Sequence, residues 1–284
     1  DLHRSGINVT VLTGDLGYES QTAQPGRNEL ADGVHIYRVP ATQFGRSTFL
    51  NQIMDFSFFY ILSLGWILKT PANRYSHILC FTDPPLIAVI GYVAQRIKGW
   101  KFIYSIQDLF PANTIALGHM RKGSIFSFLQ KINKQLIRQS HYTVAISKPM
   151  EAYICKQADG KIPVRRISNW ADGDKIKSAR DQSLLTELGL DKVYTVIYAG
   201  NMGHPQGLDI LVKVLINCKN WRNIQFIFVG GGAKRHLIAE AIASHAIGNA
   251  RLVDYQRKID LYQFFAVSDI GIVSLMPGLE GLAL

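Results

Sequence analysis

The stretch YAGNMGHPQGLD, residues 198–209, follows an apolar run and leads into a helix-like pattern that extends to Cys218. A strand, a glycine-rich turn and a helix in this order form the repeating unit of a parallel α/β sheet. The turn contains three glycines within eight residues and no Lys or Arg. It predicts either a backbone cradle for an anion at a helix N-terminus or a tight turn between two elements, and the spacing leaves both open.

The same alternation of strand-like and helix-like patterns runs along most of the chain. Predicted strands cover residues 7–13, 34–39, 77–82, 101–106, 141–146, 164–168, 194–199, 224–229 and 270–275, and predicted helices cover 48–69, 86–98, 125–140, 206–218 and 233–245. A polar stretch from Lys156 to Asp191 interrupts the pattern, and we interpret it as a linker that opens a second unit. Because strands separated by helices usually run parallel, the sequence predicts two α/β domains, residues 1–165 and 166–284, each built on a doubly wound parallel sheet.

Length and composition narrow the class of protein. The chain has 284 residues, of which 48% are hydrophobic, so two domains with sizeable cores are expected. Its three cysteines lie far apart in sequence, which argues against a disulfide framework and favours a reducing compartment. The apolar segment 49–68 is interrupted by polar residues and predicts a buried or membrane-grazing helix rather than a membrane span. The first residues resemble the last turn of a helix, and the chain stops without a terminating element, so we expect an internal fragment.

The charge distribution favours anionic partners. Basic residues outnumber acidic ones by 31 to 21, a net charge of +10, which does not choose among nucleic acid, a membrane surface and a small anionic substrate. No acidic residue lies between Asp108 and Glu151, whereas six basic residues do. Segment 125–140 also carries an apolar stripe at helical spacing. It is either a core-packed helix with a solvated face or a helix that lies against anionic lipid headgroups.

Open parallel sheets bind ligands at the carboxyl ends of their strands, so the residues just after each predicted strand are the candidates for a site. Gly200 and Gly203 allow the backbone to approach a ligand, and Asn201 and Gln206 add neutral donors beside the N-terminus of the next helix. The stretch matches neither GxGxxG nor GxxxxGK[ST], so it carries neither a dinucleotide fingerprint nor a P-loop.

Three further places after strands carry candidate residues. The run Gly230–Gly232 precedes Lys234 and Arg235, and it forms either an anion-binding loop or a turn. Asp108 is either a general base or hydroxyl-binding carboxylate, or a turn former. Glu280 lies between glycines and is either a ligand for sugar hydroxyls or a solvated loop charge. The histidines show no HxxxH or HxH pairing, which argues against a metal site.

The order of these motifs resembles glycosyltransferase family 4 over essentially the whole chain. Within that family, the sequence is similar to the bacterial surface-polysaccharide branch that contains L-fucosamine transferases and colanic acid glycosyltransferases. The motifs that carry the resemblance are TDPPL (82–86), IQDLFP (106–111), VAISKPM (144–150), SNWAD (168–172), YAGNMGHPQGLD (198–209), FVGGGAKR (228–235), SDIGIVSL (268–275) and GLEGLAL (278–284).

The resemblance implies a GT-B fold, in which two Rossmann-like domains face a cleft, and a retaining, metal-independent sugar transfer. It implies that Asp108 lies beside the reacting centre and that Glu280 contacts the donor sugar, so these two are the predicted catalytic residues. Many family members carry Arg and Lys where this chain has neutral residues, so helix-terminus amides are expected to hold most of the phosphate charge, with help from Lys234 or Arg235. The implied nucleotide-binding residues are Gly200, Asn201, Gly203, Gln206, Gly230, Gly231 and Lys234.

The sequence therefore predicts a glycosyltransferase that moves an N-acetyl amino sugar from a UDP-sugar co-substrate, without a further cofactor, to a lipid-linked glycan acceptor. It is expected in the cytoplasm, peripheral on the anionic inner face of the plasma membrane, with no nucleic-acid partner. The family's second glutamate and first strand fall outside the chain, which leaves the activity of this fragment open. Two alternatives remain: a UDP-sugar 2-epimerase with the same layout, and a basic nucleic-acid-binding module.

Overall fold

A computed structural model describes residues 2–15, 28–40, 49–118, 120–171, 173, 176, 182–190 and 194–282 of the protein. The chain divides into two compact units. The N-terminal unit comprises residues 1–110 and 127–167, and the C-terminal unit comprises residues 111–126 and 168–284. The predicted domain boundary after residue 165 stays a prediction, because a compact unit is not by itself an independently folding domain.

Strands and helices alternate along both units. The strands are β1 (Thr10–Gly14), β2 (Asn28–Ala31), β3 (Val34–Val39), β4 (His77–Cys80), β5 (Lys101–Ile106), β6 (Tyr142–Ala145), β7 (Val164–Arg166), β8 (Tyr194–Ala199), β9 (Ile224–Val229), β10 (Ala250–Val253) and β11 (Ile270–Gly271). The helices are α1 (Phe49–Lys69), α2 (Ala88–Lys98), α3 (Ala112–Ala116), α4 (Ser124–Gln139), α5 (Lys148–Ala158), α6 (Gln182–Glu187), α7 (Leu208–Cys218), α8 (Arg235–Ser244) and α9 (Lys258–Ala266).

The described strands form three sheets. Two belong to the N-terminal unit, with strand orders β1-β3-β2 and β4-β5-β6-β7, and the third, β10-β9-β8-β11, belongs to the C-terminal unit. Pairing is parallel throughout, except that β2 runs antiparallel to β3. The α/β fold with parallel sheets predicted from the alternating pattern is therefore confirmed.

Side-chain alternation along β8 and β9 explains why helices cover both faces of the C-terminal sheet. Successive strand residues point to opposite faces, so a strand buried on both sides reads as a continuous apolar run. One face of β8 packs in a core with residues of α7 and α8, such as Leu211 and Ile238. The other face, which includes Ile197, packs with Leu185 of α6 and Phe264 of α9. This is the doubly wound arrangement.

The N-terminal unit is held by β5 and by an aromatic cluster between its helices. Phe102 and Tyr104 of β5 are buried and stacked, with ring centroids 5.9 Å apart. Trp100 lies in a core with Ile67 of α1 and Ala94 of α2, and its indole N–H donates to the carbonyl of Ala72 at 2.8 Å. These contacts fix α1 and α2 near the amino ends of β4 and β5.

Several sequence predictions need correction. The strand predicted at 164–168, at the expected opening of the second unit, is β7, which ends at Arg166 and pairs with β6 in the sheet β4-β5-β6-β7 of the N-terminal unit. The strand predicted at 270–275 ends at Gly271, where β11 lies at the sheet edge with β8 as its strand partner. The pattern reading missed β2, β10, α3, α5, α6 and α9, which are short or polar elements with weak periodicity. Thr48, the predicted start of α1, lies outside the described residues.

Helix α4, which covers most of segment 125–140, packs inward through one half and exposes apolar side chains in the other, so the lipid alternative stays a prediction. Its C-terminal half packs inward through Asn133, Leu136 and Ile137. Its N-terminal half exposes Ile125 and Phe128, whose side chains are 69% and 63% accessible. Among the described residues, no helix combines the length and apolarity that a membrane span requires.

Candidate nucleotide-binding site

Three loops converge at the carboxyl edge of the C-terminal sheet. They follow β8, β9 and β11, whose parallel pairing brings their carboxyl ends to one side. The loop after β8 is tied to the segment after β11, because the N–H of Met276 donates to the carbonyl of Pro205 at 2.8 Å. A pocket opens here, lined by residues 198–201, Gln206 and residues 272–275. This is the position at which open parallel sheets bind ligands.

The loops after β8 and β9 interlock through their backbones. The N–H of Met202 donates to the carbonyl of Gly231 at 2.6 Å, and the N–H of Lys234 donates back to the carbonyl of Met202 at 2.8 Å. Met202 is fully buried beneath them. The two glycine-rich motifs that sequence analysis identified separately are therefore parts of one structure.

Close approach of the backbones explains two of the glycines. A Cβ at Gly230 would lie 2.1 Å from the carbonyl oxygen of Gly200, and one at Gly232 would lie 2.5 Å from Oδ1 of Asn201. Both glycines also have positive φ, at 134° and 137°, a region that side chains disfavour. Gly203 differs, because its backbone is extended at φ −98°. Contact between the loops thus requires glycine at 230 and 232 before any ligand is considered.

Gln206 holds the first loop against the start of α7. Its Oε1 accepts from the N–H of Gly203 at 3.0 Å, so this amide is already engaged within the loop. Gly207, with φ 58°, turns the chain into α7, and a Cβ there would lie 3.2 Å from the backbone of Leu275. The first-turn N–H groups of Leu208 and Asp209 have no intrahelical acceptor, and they carry the positive end of the helix dipole.

The two basic residues predicted to neutralise an anion are paired with carboxylates. Nζ of Lys234 lies 3.5 Å from Oδ2 of Asp209. The guanidinium of Arg235 donates to Oδ1 of Asp254 at 2.6 Å and, through Nε, to the carbonyl of Gly230 at 3.3 Å. Arg235 therefore holds the second glycine loop. The ammonium group of Lys234 instead lies beside the first turn of α7, through its contact with Asp209.

Tyr198 of β8 lines the pocket and holds the loop that follows the strand. Its hydroxyl donates to the carbonyl of Asn201 at 2.7 Å, which fixes the loop where it leaves β8. Burial, and secondarily the neighbouring Tyr255, raise the pKa of Tyr198 to about 12. Tyr255 itself lies against Gly231 and donates from its hydroxyl to the Gly231 carbonyl at 3.2 Å. Sequence analysis missed both tyrosines, although both lie at the carboxyl end of a strand.

Glu280 follows the same sheet edge, in an exposed turn. Its Oε2 accepts from the N–H of Gly278 at 2.7 Å, and Leu279 between them is fully buried. The carboxylate thus caps its own loop, and a role as a sugar ligand stays a prediction. Residues 272–275, which line the pocket, were missed because the strand was predicted to extend over them.

Asp108 belongs to the N-terminal unit, so the structure does not group it with the seven predicted nucleotide-binding residues. It follows β5 and is partly exposed. The N–H of Phe110 donates to its carbonyl at 3.0 Å, which closes a turn, and Leu109 is buried. The position after a central strand and the turn are both confirmed, whereas the role as a base stays a prediction.

No group of three or more His, Cys, Asp or Glu side chains within the described ranges is arranged to hold a metal ion.

Tyr60 of α1 contacts the loop that follows β4 in the N-terminal unit. The hydroxyl of Tyr60 donates to the carbonyl of Pro85, and burial, together with the nearby Asp83, raises the pKa of Tyr60. That phenol stays protonated and holds the loop after β4.

Comparison with known proteins identifies the class of fold. The structure is similar over 98% of its length to sucrose-phosphate synthase from Thermosynechococcus elongatus, at a TM-score of 0.72 and 14% identity, and it covers 69% of that chain. It also matches HepE from Anabaena, solved with UDP-glucose, at a TM-score of 0.61 and 14% identity over 84% of this chain and 60% of that one. The fold is that of the GT-B glycosyltransferases.

The chain is also similar in sequence to one curated protein. The chain is 26% identical over 222 residues to WbjE of Pseudomonas aeruginosa, described as a probable glycosyltransferase, and the match covers 76% of this chain. The chain spans about half of that relative, 54% of its length. No family model matches the sequence.

Proposed function

We propose that the protein is a glycosyltransferase that binds the diphosphate of a nucleotide sugar at the interlocked glycine loops of the C-terminal unit. The observation that carries the proposal is the junction of these loops with the start of α7: Gly200, Asn201 and Gln206 line the pocket, and α7 begins two residues after Gln206. Such a terminus attracts anions through its amides and its dipole. The likeness to WbjE and to HepE, solved with UDP-glucose, supports this class of donor.

The charge of the diphosphate is divided between the helix terminus and Lys234 in this proposal. Lys234 already lies 3.5 Å from the carboxylate of Asp209, so its ammonium is positioned beside the first turn of α7. A bound phosphate competes with Asp209 for that ammonium. The neutral Gln206 keeps the loop in shape through its bond to Gly203 and adds no repulsion.

The finer proposal concerns the reaction. We infer that a UDP-activated N-acetyl amino sugar is transferred with retention, without a metal, to a lipid-linked glycan for surface polysaccharide. Asp108 lies beside the reacting centre, and Glu280 exchanges its bond to the Gly278 N–H for one to a hydroxyl of the donor sugar. Positioning and stabilisation of the departing diphosphate supply the catalysis, so no protein nucleophile is needed.

Calorimetry of UDP, GDP and ADP against the protein tests the donor class. We expect UDP to bind, and Gly203→Val to abolish binding because a branched side chain fills the loop beside Asn201 and Gln206. Gly248→Ala is the matched control, since a Cβ there meets nothing within 4 Å. If none of the three nucleotides binds at millimolar concentration, the proposal is wrong.

Product analysis with UDP-N-acetylglucosamine separates the reaction classes. A glycosyltransferase transfers the sugar slowly to water, or faster to an added acceptor, and releases UDP. A non-hydrolysing 2-epimerase inverts C2 of the sugar and keeps the sugar linked to UDP. Release of UDP that falls in Glu280→Ala supports the transferase, and conversion without release supports the epimerase.

We also propose that α4 attaches the protein to the anionic membrane surface that carries its acceptor. Ile125 and Phe128 are exposed one turn apart, and Arg121, Lys122 and Lys131 are exposed near them. Toward the other end of α4, Asp159 forms an ion pair with Arg138 and lies 4.0 Å from Lys134, so the cations of that half are neutralised. Apolar side chains beside exposed cations suit a helix that lies in the headgroup layer.

Co-sedimentation with vesicles containing phosphatidylglycerol tests this attachment. We expect binding at low salt that is lost in Ile125→Ser/Phe128→Ser and weakened by added salt. Ile259→Ser is the control, because Ile259 is 60% accessible but lies on α9. Equal binding by both variants, or no binding by the unmodified protein, contradicts the attachment.

A further inference from the structure

Thr82 lies at the carboxyl end of the N-terminal sheet, two residues beyond β4, and is 6% accessible. Its Oγ1 accepts two backbone hydrogen bonds from the neighbouring strand connection. The N–H of Gln107 lies 3.1 Å away, and that of Asp108 lies 3.2 Å away. One buried hydroxyl oxygen therefore contacts the segment that carries the predicted catalytic carboxylate.

A second contact holds the other end of that segment. Asn133 of α4 donates from Nδ2 to the carbonyl of Phe110 at 2.8 Å, and its Oδ1 accepts from the hydroxyl of Tyr104 at 3.0 Å. Leu109, between the two attachments, is 1% accessible and anchors the segment in the core. Asp108 is thus a partly exposed residue within a segment held on both sides.

We propose that Thr82 is a positioning residue that sets the direction of the Asp108 carboxylate for the transfer reaction. The inference rests on the role proposed for Asp108. Gln107 and Asp108 are where β5 ends and the chain turns, so the backbone direction there decides where the carboxylate points. A hydroxyl oxygen has two lone pairs, which allows Thr82 to accept from both amides.

The physical reason for an effect on turnover is geometric. These bonds join Thr82 to the backbone of residues 107 and 108, so their loss is expected to shift the carboxylate rather than to remove it. A displacement of the order of 1 Å in a catalytic group lowers the rate by up to about a hundredfold. Donor binding depends on the C-terminal loops and is expected to be independent of Thr82.

Thr82→Val removes the acceptor while keeping the shape, and Thr82→Ser keeps the oxygen. Thr143→Val is the matched control, since Thr143 is a buried threonine of the same sheet whose Oγ1 lies 2.9 Å from Oγ of Ser140. We measure UDP release from UDP-N-acetylglucosamine, and amide hydrogen exchange at Gln107 and Asp108. Thr82→Val is expected to lower kcat by about tenfold or more with donor KM within about twofold.

Three results complete the test. Thr82→Ser is expected to restore most of kcat, Thr143→Val to keep it, and exchange at both amides to be faster in Thr82→Val alone. In the Asp108→Asn background, Thr82→Val is expected to have no further effect on kcat, because residues that act as a unit are not additive. Equal kcat in Thr82→Val and Thr143→Val, or an additive double variant, overturns the proposal.

Failure of the proposed function has a different signature. If the unmodified protein releases no UDP, the transferase proposal fails and the catalytic role of Thr82 fails with it. The exchange measurement then still shows whether Thr82 holds residues 107 and 108. If UDP is released normally but exchange and kcat are unaffected in Thr82→Val, only the positioning role is wrong.

Discussion

The two sheet edges that carry the candidate residues are built by different means. In the C-terminal unit, backbone packs on backbone, and glycine at 230 and 232 is what permits the contact. In the N-terminal unit, the side chains of Thr82 and Asn133 hold the Asp108 segment. A site made from backbone tolerates no added atom, whereas a site made from side chains depends on particular polar atoms. The two edges should therefore respond to opposite kinds of substitution.

The largest effect is expected from adding one methyl group to the backbone-built edge. Gly230→Ala places a Cβ 2.1 Å from the carbonyl oxygen of Gly200 at a residue with φ 134°. Overpacking and backbone strain each cost about 1–3 kcal/mol, so the free energy of unfolding should fall by about 2–6 kcal/mol. Urea denaturation measures it, with Gly248→Ala as the control. Equal midpoints for the two variants would show that the loops separate easily.

The next effect is expected from removing a polar group from the side-chain-built edge. Asn133→Ala leaves the hydroxyl of Tyr104 and the carbonyl of Phe110 without this partner in a buried position, which costs about 1–3 kcal/mol. The same denaturation experiment measures it, with the exposed Asn220→Ala as the control. Tyr104→Phe should partly rescue Asn133→Ala, because it removes the hydroxyl that has lost its hydrogen-bond partner in that variant. Full additivity would argue against the pair.

The difference between the two edges also explains why the sequence predicted the residues of one edge better than those of the other. The glycine motifs were found because glycine between a strand and a helix is visible in the sequence, and the sheet edge they share follows from parallel pairing. Thr82 and Asn133 could not be found, because they lie 26 and 25 residues from Asp108 and have no local signature. Their roles arise only when β4, β5 and α4 are packed.

The charge assignment shows a second limit of the sequence. Lys234 and Arg235 were identified as cations near the loop, but Arg235 is engaged with Asp254 and with the loop backbone. The pairing depends on β10, an element that periodicity did not reveal. The predicted strand at 270–275 hid a second group of site residues in the same way. Because β11 ends at Gly271, residues 272–275 do not belong to the strand and line the pocket instead.

A single charge tests whether the backbone-built edge binds an anion. Gln206→Glu keeps an oxygen to accept from Gly203 and adds one negative charge beside the start of α7. We expect an affinity for UDP that is lower by about tenfold, equivalent to about 1.4 kcal/mol, with little change in stability. Calorimetry measures it, and Gln263→Glu, exposed on α9, is the control. Unchanged affinity would move the phosphate away from this helix terminus.

The smallest effect concerns the tyrosine beneath the glycine loop. Tyr198→Phe removes the 2.7 Å bond to the carbonyl of Asn201, which should lower the free energy of unfolding by about 1 kcal/mol near neutral pH. Because burial raises the pKa of Tyr198 from 10.0 to about 12, folding favours the protonated phenol. That contribution is complete below pH 10 and is lost as the pH rises through 12. The stability difference between the unmodified protein and the variant should therefore shrink from pH 8 to pH 12 in urea titrations. Tyr194→Phe, on an exposed side chain at the other end of β8, is the control. A difference that stays constant with pH would mean that the Tyr198 hydroxyl does not hold the loop, and that packing between the glycine backbones alone maintains this edge.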